Sequence, residues 1–177
     1  SRTDIPIRNI GIAGHSEGGL IAPITASENN EVDFIVLMAG PGIPGDSILL
    51  LQGDLIAKAS GMSEESVKAL HELRKNIMQV AKDEIDNDVM RNNMITLNKN
   101  FIANTPKHIL DELEMTEDDV EEGLDIYTGE WMQFFLAYNP RPTLEHTTIP
   151  VLAINGTTDL QVPYKENLEA IEKALIK

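Results

Sequence analysis

The stretch Asn9-Ile10-Gly11-Ile12-Ala13-Gly14-His15-Ser16-Glu17-Gly18-Gly19-Leu20-Ile21-Ala22-Pro23-Ile24-Thr25-Ala26 decides the fold. Its first part is apolar and β-rich, and its last part reads as a buried helix. Between them, Gly14-His15-Ser16-Glu17-Gly18 fits the pattern Gly-x-Ser-x-Gly, with Ser16 at the apex of a strand, a tight turn and a helix. The glycines have a steric reason: the apex backbone is expected to be strained, and a Cβ at Gly14 or Gly18 to strike the neighbouring strand or helix. The helix N-terminus then sits under the serine, where its free N–H groups face any oxyanion formed. The pentapeptide alone also occurs in Gly/Ser-rich loops, and the flanking strand and helix favour the catalytic reading. Gly11-Ile12-Ala13-Gly14 lacks the Gly-x-Gly of a dinucleotide site, and no Gly-Lys-Ser/Thr follows for a P-loop.

Working outward, residues 5–13 read as the first strand, with Pro6 at its start because proline cannot donate to a ladder. Residues 17–28 read as the helix, ended by Asn29-Asn30. Phe34-Ile35-Val36-Leu37-Met38-Ala39 is a continuous apolar run, expected as a parallel strand buried on both faces. Gly40-Pro41-Gly42-Ile43-Pro44-Gly45 follows at its carboxyl end. Ligands bind along that edge in open α/β sheets, so the loop is expected to border the site, a plain turn being the alternative.

From 47 to 138 the pattern turns helical. Residues 47–59 have helical spacing, and Ser63 reads as an N-cap ahead of Val67, Leu70, Leu73, Ile77 and Val80 on one face. Ile85, Val89, Met94, Leu97 and Phe101 form a further stripe. Thr105-Pro106 reads as an N-cap with proline at the first helical position. Thr116 with Asp119 resembles a capping box. Residues 129–138 form a last helix carrying Trp131, Phe134 and Phe135. The segment is too long for a simple crossover and reads as an insertion. Its acids, from Asp111 to Asp125, lack the alternation and central glycine of a calcium loop and read as a solvated face.

Asn139-Pro140-Arg141-Pro142 closes the insertion. Residues 150–156 read as a third buried strand, 157–163 as the loop at its carboxyl end, and 164–176 as an amphipathic helix with Leu168, Ile171 and Leu175 inward. The 177 residues carry a net charge of −15, which argues against nucleic acid and anionic membranes as partners. Cysteine is absent, which excludes disulfides and thiolate chemistry. No signal or membrane-spanning segment is visible, and the compartment is left open. The chain begins at Ser1 and opens almost directly into a strand, which reads as an N-terminal truncation.

The Gly14–Gly18 motif, the helical insertion and Val151-Leu152-Ala153-Ile154-Asn155-Gly156-Thr157-Thr158-Asp159-Leu160-Gln161-Val162-Pro163 together resemble the α/β-hydrolase superfamily. Within it, the resemblance is specifically to lid-bearing bacterial esterases and the related serine aminopeptidase-like hydrolases. The resemblance implies an α/β fold: a partial α/β-hydrolase parallel sheet from residues 1–46 and 139–177, with 47–138 as a helical lid. It implies Ser16 as nucleophile, Asp159 as triad acid and the Glu17 backbone N–H as half of an oxyanion hole, with Gly14, His15 and Gly18 forming the elbow. No metal or cofactor is expected. The substrate is expected to be a small ester or acyl compound, with some of Trp131, Phe134 and Phe135 near an acyl pocket, a place in the core of the lid being the alternative for any one of them. Asp159 has an alternative reading as a cap of the following turn or helix.

The family order is Ser, Asp, His, and no histidine follows Asp159. His15 sits in the elbow, a packing position. His71 and His108 lie in the insertion and read as exposed, and His146 precedes the third strand at its wrong end. The chain therefore reads as a hydrolase fragment with its base elsewhere. Peptidase or acyltransferase chemistry on the same fold, or a non-catalytic binding or assembly domain, stand as alternatives. The strands at 9–13, 34–39 and 150–155 are expected side by side and parallel. As given, the chain is expected to be inactive and to self-associate through exposed sheet edges or the lid.

Overall fold

A computed structural model describes residues 8–176. The element order is β1 (Gly11–His15), α1 (Glu17–Glu28), β2 (Phe34–Met38), α2 (Gly45–Ala59), α3 (Glu64–Asp83), α4 (Asn87–Asn104), α5 (Lys107–Glu112), α6 (Glu130–Ala137), α7 (Arg141–His146), β3 (Val151–Ile154) and α8 (Tyr164–Leu175), with 3₁₀ turns at Glu117–Glu121 and Leu124–Thr128. The chain divides into two compact units: residues 1–43 with 139–177, and residues 44–138.

The first unit is α/β. Its three strands are parallel in the order β1-β2-β3, with Gly11 beside Phe34, His15 beside Met38, and Met38 beside Ile154. Strand alternation sends Ile12, Ile35, Leu37, Val151 and Ala153 to one face, where they pack with Ala22 of α1, Leu144 of α7, and Ile171 and Ala174 of α8. The opposite face carries Phe34, Leu152 and Ile154, which are 39%, 55% and 47% exposed. The 34–39 run is therefore buried on one face among the described residues, and the two-faced burial read from its apolar continuity is corrected. A continuous apolar strand reports what both faces could bury. It does not report which helices cover them. Gly11 leaves its place on the open face to the Phe34 ring, which a Cβ there would meet.

Among the described residues the first strand begins at Gly11 and ends at His15. Ile10 donates its N–H to Asp33 Oδ2 at 2.7 Å and accepts from Asp33 N at 2.7 Å, and the ladder begins only at Gly11. Residues 5–7, Pro6 among them, lie outside the described residues. At the other end, β2 stops at Met38, because Ala39 turns into the left-handed region at φ 49°.

Asn167 ties the loop after β2 to α8. Fully buried, it accepts from Gly42 N at 2.8 Å through Oδ1 and donates from Nδ2 to Pro163 O at 2.8 Å. A Cβ on Gly42 would overlap the Asn167 carbonyl oxygen. Asn167→Ala strands the Gly42 N–H in the interior, and we expect it to destabilise the fold by about 1–3 kcal/mol in urea unfolding. An unchanged midpoint would show that the loop does not depend on this side chain.

The second unit is helical. Ser63 caps α3, accepting from Ser66 N at 3.2 Å, and Val67, Leu73 and Ile77 are buried behind it. The Glu112 carboxylate accepts from Ser63 Oγ at 2.6 Å and from the Ser66 hydroxyl, and these bonds hold its pKa below the usual range. Asp86 caps α4 through Oδ1, which accepts from Asp88 N and Val89 N, each at 3.0 Å. That cap corrects the expected stripe. Ile85 precedes the helix and is 93% exposed, Val89 is also exposed, and the buried face runs through Met90, Met94 and Asn98. Thr105 closes α4, its N–H donating to Phe101 O at 2.9 Å, and α5 starts after Pro106. The capping box at Thr116 forms with both bonds, on a 3₁₀ turn.

Candidate active site

Ser16 joins β1 to α1 at φ 54° and ψ −115°. For a residue with a Cβ this is a sparsely populated conformation, costing about 1–3 kcal/mol, and it persists only where its surroundings enforce it. The surroundings are visible. Ser16 N donates to Met38 O at 2.9 Å, and Ser16 O accepts from Gly19 N at 2.8 Å. The hydroxyl makes no capping bond to α1, although serine is a favoured cap. A half-buried, strained serine whose hydroxyl has no hydrogen-bond partner among the described residues therefore stands at the carboxyl end of a parallel strand.

The glycines divide differently from the sequence expectation. A Cβ at Gly14 would overlap the Gly18 carbonyl group, and a Cβ at Gly19 would lie 2.6 Å from Gly40 Cα. Gly18 itself faces open space, which corrects the expected clash there. The turn is tight across Gly14, and it is Gly19, one residue further on, that lets the first turn of α1 approach the chain after β2. Glu17 opens α1, so its N–H precedes the helix's own hydrogen-bond ladder. Its side chain is exposed.

Asp159 lies in the loop after β3. Its Oδ1 accepts from Gln161 N at 2.9 Å and Val162 N at 3.0 Å, so the turn-capping alternative is realised through one carboxylate oxygen. Oδ2 stands outside those bonds. Asn155 braces the loop by donating from Nδ2 to Val162 O at 2.9 Å. Ser16 and Asp159 follow the carboxyl ends of β1 and β3, on the same edge of one sheet, with β2 between them. Two strand spacings put these strands roughly 10 Å apart, leaving room for a third side chain between their ends.

Among the described residues, no histidine is hydrogen-bonded to Ser16 or Asp159. His15 is exposed at the last position of β1, not packed as expected of an elbow residue. His146 ends α7, on the way into the amino end of β3, and its Nδ1 lies 2.7 Å from Pro142 O. His108 Nε2 lies 3.3 Å from Glu65 Oε2 on the surface of the helical unit. His71 is only partly exposed, a correction, and its Nδ1 lies 2.8 Å from Asp54 Oδ2 within the helical unit. This pair was not legible in the sequence, since its partners sit on successive helices, α2 and α3, and only their packing joins them. Neither was Arg74, on α3, whose Nη1 is buried without a hydrogen-bond partner among the described residues.

Trp131, Phe134 and Tyr138 form a ladder of tilted rings on and just after α6, with centroids 5.3 and 5.1 Å apart. Among the described residues no three His, Asp or Glu side chains converge as metal ligands would, and no helix is long and apolar enough to cross a membrane. Compared with protein-family models, curated proteins and solved structures, the chain matches none.

Proposed function

We propose that this chain carries the nucleophile and acid of a serine hydrolase of the α/β-hydrolase type, acting on carboxylic esters. The observation that carries the reading is Ser16, held at φ 54° between a parallel strand and a helix N-terminus, with no side-chain bond to the helix it precedes. Ser16 Oγ attacks the ester carbonyl carbon and passes its proton to a histidine base that is none of the four here. The developing oxyanion accepts from the Glu17 N–H at the start of α1. Collapse breaks the ester C–O bond, and the alcohol leaves with the proton from the base. Water, deprotonated by the same base, then releases the carboxylate and restores Ser16. Asp159 orients the base and stabilises its cation through the carboxylate oxygen not used in the turn. The helical unit inserted after β2 serves as the lid in this reading.

The second reading is a non-catalytic binding or assembly domain that retains the elbow. It is favoured by the placement of the four histidines, each exposed, held by its own helix or paired within the helical unit. A fluorophosphonate probe separates the two when applied to the longest available form of the protein. The hydrolase reading expects covalent labelling mapped by peptide mass to Ser16. A protein that stays unlabelled while a control serine esterase reacts belongs to the second reading.

A further inference from the structure

We propose that Asn155 is a site of spontaneous covalent modification that loosens the loop carrying Asp159: its carboxamide nitrogen is lost as the Gly156 nitrogen closes a cyclic imide, which opens to aspartate or isoaspartate. The conversion stands independently of the reading of Ser16, and only its bearing on catalysis rests on Asp159 being the triad acid. Asn155-Gly156 is the one Asn-Gly pair in the chain, and it directly follows β3. Asparagine is thermolabile, and a following glycine offers a main-chain nitrogen with no Cβ beside it. Gly156 is exposed, and its N–H donates to no described residue. A Cβ added to Gly156 would meet nothing nearer than Asp159 Cβ at 4.0 Å, so the approach is uncrowded. Among the described residues the Asn155 carboxamide is held by one bond, from Nδ2 to Val162 O at 2.9 Å, and its buried Oδ1 has no partner. A single bond of ordinary net strength retards the reaction by about fivefold.

In the first step the Gly156 nitrogen bonds to Asn155 Cγ, its proton passes to solvent, and the Cγ–Nδ2 bond breaks as ammonia leaves. Water then opens the imide at either carbonyl carbon, giving aspartate or isoaspartate. Both products act on the acid loop. Asp159 Oδ1 accepts from Gln161 N and Val162 N, while Asn155 Nδ2 holds the carbonyl of that same Val162, a buried residue. An ionised aspartate at 155 has no donor for the Val162 carbonyl and sets a carboxylate against it, an unfavourable pairing of two acceptors in a half-buried place. Isoaspartate also adds a methylene to the main chain immediately before Gly156, whose carbonyl accepts from Asp159 N at 3.2 Å. Either way the frame that holds the Asp159 carboxylate loses its brace from β3.

The test is incubation of the native chain at mildly alkaline pH in H₂¹⁸O, followed by peptide mapping. Residue 155 should convert ahead of every other asparagine, take up ¹⁸O, and yield isoaspartate together with aspartate, since direct hydrolysis of the amide would give aspartate alone. Gly156→Ala should slow the conversion by about tenfold or more, because its methyl crowds the attacking nitrogen. That variant suits the fold, as Gly156 is not among the glycines at positive φ and has room for a Cβ. Amide exchange at Gln161 and Val162 should be faster in the incubated protein and in Asn155→Asp than in fresh protein, with the amides of α3 unchanged. Conversion at 155 no faster than elsewhere, aspartate without isoaspartate, an unaltered rate in Gly156→Ala, or unchanged exchange at Gln161 and Val162 after conversion would each overturn the proposal. The incubated wild-type protein supplies the exchange measurement alone should Asn155→Asp not fold. None of these measurements depends on ester turnover or on labelling of Ser16, so the outcome is separate from that of the hydrolase reading.

Discussion

If Ser16 is the nucleophile proposed above, Ser16→Ala is expected to lower ester turnover by about 10³-fold or more in a form of the protein that hydrolyses a short aryl ester, with kcat falling rather than KM rising. The size follows from the role: removing a covalent nucleophile leaves only what binding and the oxyanion donors contribute. The substitution should cost the fold little. The Ser16 hydroxyl caps nothing, and its main-chain bonds to Met38 O and Gly19 N do not involve the side chain. Alanine inherits the same strained φ of 54°. Urea unfolding and aryl-ester kinetics on the same preparation check both halves. Near-normal turnover by the alanine protein would remove Ser16 from the chemistry. A collapse of stability would mean the serine side chain serves the fold instead.

Gly14→Ala is expected to destabilise the first unit by on the order of 3 kcal/mol, whereas Gly18→Ala is expected to be neutral or to stabilise by up to about 1 kcal/mol. Both glycines belong to the same five-residue motif, and composition cannot separate them. Their surroundings do. The alanine methyl at position 14 would overlap the carbonyl group of residue 18, so backbone must move in a strand locked to β2 by register. At position 18, in the first turn of α1, the methyl meets nothing within 4 Å and gains the helix preference of alanine over glycine. Denaturation midpoints of the two variants should differ strongly and in this order. Equal midpoints would falsify the tight turn across Gly14, and a severe loss at Gly18 alone would place the crowding where the sequence motif had it.

Much of the site was legible in the order of residues because its geometry is local. Glycine on either side of a serine, a β-rich run before it and a helical run after it constrain one short turn, and the turn forms with Ser16 at a positive φ. The same holds for the Ser63 cap and the Thr116–Asp119 box, where side chains bond backbone within three residues. Parallel pairing of the three apolar strands also followed from the sequence, by way of a family likeness rather than periodicity. What the tertiary structure decided is what depends on distant neighbours. Alternation told which strand residues share a face, yet only the packing of α1, α7 and α8 chose Ile35 and Leu37 over Phe34 for the core. Only the approach of Gly40 made Gly19, not Gly18, the crowded glycine. Asn167 is buried because Gly42, far back in the chain, donates to its carboxamide oxygen, a partner that the sequence of α8 does not indicate. His71 read as an exposed member of the insertion until α2 brought Asp54 against it, and the same packing set Gly53 against Arg74. Hydrogen bonds and contacts within a turn are written in adjacent residues, whereas burial is a property of what arrives from elsewhere, and a single strand or helix carries no record of its cover.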